Sequence, residues 1–210
     1  MSAPWPKLKR GIVAILRGLA PDEAQAVGRA VFEAGIEAIE VPLNSPQPFR
    51  SIETIVADLP GSALVGAGTV LTVADVERLN AAGGRLLVSP NVDPAVLARA
   101  ADFSIVTMPG VFTPTEAFLA IKSGASALKF FPASVLGAKG SAAIGAVLPK
   151  DIVVGVVGGI SEADFADYAK VGIRAFGLGS SLYKPGMSAT EVGDRAAAAV
   201  TAWDQVFAGG

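Results

Sequence analysis

The chain contains no histidine and no cysteine, and only 17% of its 210 residues are charged. Without cysteine it has no disulfide, no thiolate nucleophile, no iron–sulfur cluster and no cysteine zinc site. Without histidine it has no Ser-His-Asp triad, no imidazole metal ligand and no imidazole base. Any catalysis must therefore use carboxylates, lysine, arginine, hydroxyl groups, backbone groups or a bound cofactor.

The charge and hydropathy patterns give no indication of a nucleic-acid face or a membrane span. The net charge at pH 7 is −2, whereas nucleic-acid binding needs a basic patch. A membrane helix needs about 18 or more apolar residues in a row, and proline, glycine or a charge interrupts every run here. The run at 12–16 is also too short for a signal peptide. We therefore expect a cytoplasmic protein without nucleic-acid or membrane partners.

Eight short apolar segments recur along the chain at even spacing. Hydrophobic residues make up 51% of the sequence, and uninterrupted rather than alternating apolar segments are typical of strands buried on both faces of a parallel sheet. These predicted strands cover residues 12–16, 38–43, 64–69, 86–89, 105–108, 127–131, 153–157 and 175–178.

Amphipathic segments with helix signals separate the predicted strands. Helix starts are indicated at Pro21, Thr113 and Ser161, because proline, capping residues and early acids favour the first turn. Glycines at positions 35, 83, 124 and 172 follow helical segments, where a left-handed cap is common. The pattern predicts a single (β/α)₈ TIM barrel over residues 1–210 with a C-terminal helix at about 189–207. A doubly wound open sheet is the alternative, but no dinucleotide-binding motif supports it.

Three charged residues interrupt the apolar strands at or toward their C-terminal ends, where barrel active sites lie. Lys129 lies inside the sixth predicted strand, among apolar and aromatic residues. Burial lowers the pKa of an amine and makes it a nucleophile for Schiff-base chemistry. Glu40, inside the second, could transfer protons in place of a histidine. The alternative for both is a structural ion pair without chemistry.

Arg17 ends the first predicted strand, where its guanidinium could clamp a substrate carboxylate or form an ordinary salt bridge. Thr69 follows the third and could donate its hydroxyl to the substrate or cap the next helix. Glycine-rich turns follow the seventh and eighth strands, where barrels frequently bind phosphate. These turns contain Gly158 with Gly159, and Gly179 with Ser180. The alternative is that these glycines only form tight turns and bind nothing.

Over residues 11–183 the chain resembles the class I 2-keto-3-deoxy-6-phospho-sugar-acid aldolases. The resemblance implies a Schiff base on Lys129, acid–base catalysis by Glu40, carboxylate binding by Arg17 and Thr69, phosphate binding by the two glycine turns, no cofactor or metal, and a homotrimer. It is carried by Ala14-Ile15-Leu16-Arg17-Gly18, Glu40-Val41-Pro42-Leu43-Asn44-Ser45-Pro46, Gly66-Ala67-Gly68-Thr69-Val70, Pro109-Gly110-Val111, Leu128-Lys129-Phe130-Phe131-Pro132, Gly158-Gly159-Ile160 and Gly179-Ser180.

Within that family the chain is more similar to the galactonate branch than to the gluconate branch. The gluconate branch typically has Thr-Leu-Arg after the catalytic Glu-Val and Pro-Thr before the double glycine. This chain instead has Pro42-Leu43-Asn44 and Val156-Val157. The resemblance implies cleavage of a phosphorylated keto acid, 2-dehydro-3-deoxy-6-phosphogalactonate, to pyruvate and D-glyceraldehyde 3-phosphate in sugar-acid catabolism. The alternative substrate is the gluconate epimer, or both epimers.

Two other functions remain open from the residues alone. A metal-dependent aldolase would need clustered carboxylates at the strand ends, where only Glu40 qualifies. A phosphosugar-binding barrel without catalysis would have little reason to bury Lys129 beside that carboxylate.

Overall fold

The structure, a computed structural model, describes residues 3–207. The strands of this part are all parallel and form one sheet in the order β5-β4-β3-β2-β1-β9-β8-β7-β6. They are β1 (Ile12–Ile15), β2 (Ala38–Pro42), β3 (Leu64–Gly68), β4 (Leu86–Val88), β5 (Val106–Met108), β6 (Gly110–Val111), β7 (Ala127–Phe130), β8 (Val153–Val157) and β9 (Ala175–Leu178).

Helices alternate with these strands. They are α1 (Ala24–Glu33), α2 (Pro48–Asp58), α3 (Val73–Ala81), α4 (Pro94–Asp102), α5 (Pro114–Lys122), α6 (Ala133–Gly145), a 3₁₀ helix (Glu162–Asp164), α7 (Phe165–Ala169) and α8 (Ala189–Phe207). The predicted C-terminal helix is confirmed as α8. The predicted starts after Pro21, Thr113 and Ser161 are close to the observed ones, and Thr113 forms a reciprocal capping box with Glu116.

Pro109 divides one strand of the barrel into two short pieces. The strand predicted at 105–108 runs as β5 and resumes after Pro109 as β6, because proline has no backbone N–H for the ladder. β5 pairs with β4, and β6 pairs with β7. One continuous segment therefore closes the ring, which confirms the (β/α)₈ barrel and excludes the open sheet. The expectation of eight strands is corrected to nine by this interruption.

The side chains of each strand divide between two cores because successive residues point to opposite faces. In β7, Leu128 and Phe130 face the helices and belong to the large outer core. Ala127 belongs to a smaller cluster inside the barrel, which Trp5 and Leu8 cover at the end where the strands begin. The same alternation places Lys129 inside the barrel, beyond this cluster and toward the C-terminal ends of the strands.

The predicted helix stops at glycines 35, 83, 124 and 172 are confirmed, since all four have positive φ. Across residues 3–207 no helix is both long enough and apolar enough to span a bilayer.

Candidate active site

A cavity of about 420 Å³ opens at the C-terminal ends of the strands. All eight site residues that the sequence predicts line it. They are Arg17, Glu40, Thr69, Lys129, Gly158, Gly159, Gly179 and Ser180. They come from the ends of β1, β2, β3, β7, β8 and β9, so the closed barrel gathers positions that are far apart in the chain.

Lys129 lines this cavity, and its neighbours on both adjacent strands are glycines. It pairs in register with Gly110 on β6 and Gly155 on β8, and neither has a side chain that would fill the interior. Lys129 is only 7% exposed, and its Nζ lies 4.4 Å from the ring centroid of Phe131. Burial lowers the pKa of Lys129 to about 8, against the opposing effect of Glu40, while Arg17 lowers it further.

Glu40 is the buried carboxylate of the site, only 2% exposed. Its Oε2 has no hydrogen-bond partner within residues 3–207. Burial raises the pKa of Glu40 to about 7, although the positive charges of Lys129 and Arg17 act in the opposite direction. The carboxyl can therefore both take up and release a proton near neutral pH, which general acid–base catalysis requires.

The geometry bears on the alternative of a structural ion pair between Lys129 and Glu40. Over the described part of the chain, the two side chains make neither a direct ion pair nor a hydrogen bond with each other. A pair that stabilised the fold would be in contact and fully hydrogen-bonded. Here each charged group remains available to a third molecule in the cavity.

Arg17 lies at the exposed rim of the cavity and is oriented by the loop after β2. Its Nη1 donates to Asn44 Oδ1 at 2.6 Å, and the Gly18 amide donates to Ser45 Oγ at 2.9 Å. Arg17 forms no salt bridge among residues 3–207, so the alternative of an ordinary rim salt bridge is wrong. The rest of its planar donor array is free to bind a carboxylate.

Thr69 has a backbone conformation that threonine rarely adopts, with φ of 57°. A β-branched residue in the left-handed region is strained, and such strain is concentrated at functional sites. The alternative that Thr69 caps the following helix is wrong, because Thr72 accepts from Asp75 N and caps α3. The turn at Thr69 instead places this residue on the cavity wall.

The two glycine turns follow β8 and β9, and β9 in turn pairs with β1. Gly158 and Gly159 both have positive φ, of 96° and 72°. A Cβ on Gly158 would press against the Phe131 ring, and one on Gly159 against the side chain of Ser134. The turn at Gly158 and Gly159 is thus tight, as the alternative has it, whereas a Cβ on Gly179 would meet no atom within 4 Å. Both turns line the cavity, where their amides can meet an anion.

The sequence did not single out all of the lining residues. Ile15, Ile160, Tyr183, Lys184 and Pro185 also line the cavity. Ile15 could have been found, since it precedes Arg17 by two positions toward the end of the first predicted strand, and alternate strand residues share a face. No group of three or more acidic residues within 3–207 is placed to hold a metal ion.

Known proteins that match this chain carry related names. The family model described as KDPG and KHG aldolase matches residues 7–204. A probable 2-dehydro-3-deoxy-6-phosphogalactonate aldolase of Rhizobium meliloti is 63% identical, over 98% of this chain and 97% of that protein. The 2-dehydro-3-deoxy-6-phosphogalactonate aldolase of Escherichia coli K12 is 45% identical, over 93% and 95%. A solved structure described as native KDPGal superposes with a TM-score of 0.93 at 44% identity, covering 97% of this chain and 98% of that one.

Proposed function

The chain belongs to the KDPG and KHG aldolase family, and from this premise we propose that it cleaves 2-dehydro-3-deoxy-6-phosphogalactonate to pyruvate and D-glyceraldehyde 3-phosphate through a Schiff base on Lys129. It is a carbon–carbon lyase. The observation that carries the proposal is a buried amine of lowered pKa in the same cavity as a buried carboxylate of raised pKa. This is the pair of groups that imine chemistry needs in a chain without histidine.

The neutral amine of Lys129 attacks the C2 ketone and forms a carbinolamine. Glu40 donates the proton with which water leaves, and a Schiff base remains. The C4 hydroxyl then loses its proton to Glu40, the C3–C4 bond breaks, and its electron pair passes into the iminium to give an enamine. Glyceraldehyde 3-phosphate departs, C3 is protonated, and hydrolysis releases pyruvate and regenerates the amine. No metal or redox cofactor enters this sequence.

The two ends of the substrate bind to different groups of the cavity wall. Arg17, held by Asn44, clamps the carboxylate together with Thr69. The backbone amides of Gly158, Gly159 and Gly179 and the hydroxyl of Ser180 hold the phosphate. This division follows the general arrangement of barrels, in which the loops after the last two strands of the (β/α)₈ repeat bind phosphate.

Both relatives named above carry the galactonate name, which confirms the expected branch. Val157 supports the same preference, because it is buried at the end of β8 and lines the cavity beside Gly158. A methyl group at that position cannot hydrogen-bond a substrate hydroxyl, whereas a threonine could. The gluconate epimer, or equal use of both epimers, is the alternative that experiment must address.

The test is to compare kcat/KM for cleavage of the galactonate and gluconate substrates by the wild-type protein and by Val157→Thr. We expect the wild type to favour the galactonate epimer by about tenfold or more, and Val157→Thr to reduce this ratio. Thr54→Val, at a half-buried position of α2 outside the cavity, is the control and should leave the ratio unchanged. A wild-type ratio near one would contradict the assigned epimer preference and indicate a promiscuous enzyme.

We further propose that residues 1–210 act as one domain, as a homotrimer and in the cytoplasm. Exposed apolar side chains support the assembly: Leu71 and Val73 precede and begin α3, and Phe112, Phe118 and Leu119 lie before and on α5. Exposed apolar side chains mark a subunit interface where they form a contiguous patch. Sedimentation equilibrium of the wild type and of Phe118→Glu tests the trimer, which the charge should weaken. A wild-type monomer would contradict it.

A further inference from the structure

The loop between β9 and α8, residues 179–188, carries a lysine that lines the cavity. Tyr183, just before it, is buried and donates its hydroxyl to Glu23 Oε2 at 3.3 Å. Pro185, just after it, packs over Gly18, where a Cβ would overlap the proline ring. Lys184 is therefore held between two anchored residues, and its backbone position is fixed at the cavity rim.

The substrate carries a carboxylate at one end and a phosphate at the other, and the cavity offers few positive charges to bind them. The lining includes four charged side chains: Arg17, Glu40, Lys129 and Lys184. In the proposed function Arg17 binds the carboxylate, and Lys129 is consumed in the Schiff base. The glycine turns offer only amide and hydroxyl dipoles to a phosphate that carries nearly two negative charges.

We propose that Lys184 binds the phosphate of the substrate and supplies the positive charge that the glycine turns lack. The inference rests on the proposed function, which it deepens by adding a specificity-determining residue. Lys184 makes no ion pair within residues 3–207, so its ammonium has no competing partner there. It belongs to the same loop as Gly179 and Ser180 and lines the same cavity as they do.

The chemistry sets the kinetic signature of this role. The phosphate does not change charge when the C3–C4 bond breaks, so Lys184 stabilises the bound substrate and the transition state equally. Its loss should raise KM and leave kcat nearly unchanged. Because the charge is exposed, its contribution should also decrease with ionic strength. Substrates without a phosphate should not respond to it.

The experiment compares Lys184→Met and Lys184→Arg with the wild type, using 2-dehydro-3-deoxygalactonate with and without its 6-phosphate. Lys139→Met on α6, an exposed lysine outside the cavity, is the matched control. We expect Lys184→Met to raise KM for the phosphorylated substrate about tenfold, since hydrogen bonds to charged groups have roughly this effect. The unphosphorylated substrate should change less than about twofold. Lys184→Arg should retain most of the phosphate-dependent affinity.

Inhibition by inorganic phosphate gives a second measurement that does not depend on slow turnover of the unphosphorylated substrate. Its Ki should rise in Lys184→Met and stay constant in Lys139→Met. Equal losses on both substrates, or an unchanged KM and Ki, would overturn the role of Lys184 while leaving the aldolase intact. A wild type that cleaves neither substrate would overturn the proposed function, and the inference with it.

Discussion

Gly68 lies directly against the carboxylate of Glu40, so that a Cβ on residue 68 would overlap both carboxylate oxygens. The two residues lie on neighbouring strands, where Glu40 pairs with Gly66 and Pro42 pairs with Gly68. The small residue thus makes room for a charged side chain inside the barrel. The Gly66-Ala67-Gly68 segment at the end of β3 therefore leaves space for the Glu40 side chain and also leads into the turn at Thr69.

Gly68→Ala should displace the Glu40 carboxylate and lower kcat by about a hundredfold, the usual contribution of a general acid–base group. The unfolding free energy should fall by about 1–3 kcal/mol from overpacking. Gly61→Ala is the control, because no atom lies within 4 Å of its added Cβ. Steady-state kinetics and urea denaturation measure both effects, and wild-type activity in Gly68→Ala would contradict the placement of Glu40.

The site should cost stability because Lys129 and Glu40 are buried without direct partners. The double variant Glu40→Met/Lys129→Met should be inactive and about 1–4 kcal/mol more stable than the wild type, the range found when buried charged pairs are replaced by well-packed hydrophobic residues. Chemical denaturation at pH 7.5 measures the difference. A double variant less stable than the wild type would show that the pair stabilises the fold.

The pH dependence of that difference follows from the two pKa shifts. The pKa of Glu40 is raised from 4.5 to about 7, so the amount by which this residue lowers the free energy of unfolding grows as pH rises through this range. The pKa of Lys129 is lowered from 10.5 to about 8, so the amount by which this residue lowers the free energy of unfolding grows as pH falls through that range. The advantage of the double variant should therefore be largest between about pH 7 and 8. It should shrink toward pH 5 and toward pH 10, and a difference that does not vary with pH would contradict these shifts.

Most of the barrel could be predicted from the sequence because buried parallel strands and helix stops leave local patterns. Short apolar segments, and glycines that follow helical segments, mark each strand-and-helix unit without any long-range information. The break at Pro109 within one strand was missed, since a proline after an apolar segment also marks a strand end. The covering of the inner cluster by Trp5 and Leu8 was missed because it joins the N-terminal segment to strands that are far from it in the sequence.

The site residues that could be predicted are those whose charge stands out from the apolar residues around them in the sequence. Lys129 and Glu40 are charges inside apolar strands, and that is visible in one dimension. Lys184 lies in a polar loop and breaks no pattern, so only the folded chain brings it to the cavity. The contact between Arg17 and Asn44 was likewise invisible, because it depends on how the loops after β1 and β2 meet.

The rate of Schiff-base formation with pyruvate should depend on pH in a way that Glu40 controls. Burial lowers the pKa of Lys129 to about 8, so a much larger fraction of its amine is neutral at pH 7.5 than in an ordinary lysine. Glu40 raises this pKa, so Glu40→Gln should shift the midpoint of the profile to lower pH, besides slowing the reaction. Stopped-flow measurement over pH 6–10 tests this, with the exposed Glu33→Gln as control. A shift to higher pH would be the wrong sign.

Asn44 should act as a positioning residue for Arg17, because its Oδ1 accepts a hydrogen bond from Arg17 Nη1 at 2.6 Å. Asn44→Leu removes the acceptor and should weaken pyruvate binding by roughly threefold to tenfold, with kcat little changed. Asn80→Leu, an exposed change at the end of α3, provides the comparison. A pyruvate KM in Asn44→Leu equal to that of the wild type would mean that Arg17 needs no such support.

The central claim is that Lys129, of the eight lysines in the chain, forms the Schiff base. Borohydride reduction in the presence of pyruvate, followed by peptide mass mapping, tests it most directly. We predict one reduced pyruvyl adduct per chain on the peptide that contains Lys129, formed equally in EDTA and absent from Lys129→Met. No adduct, or an adduct on any other lysine, would contradict the account.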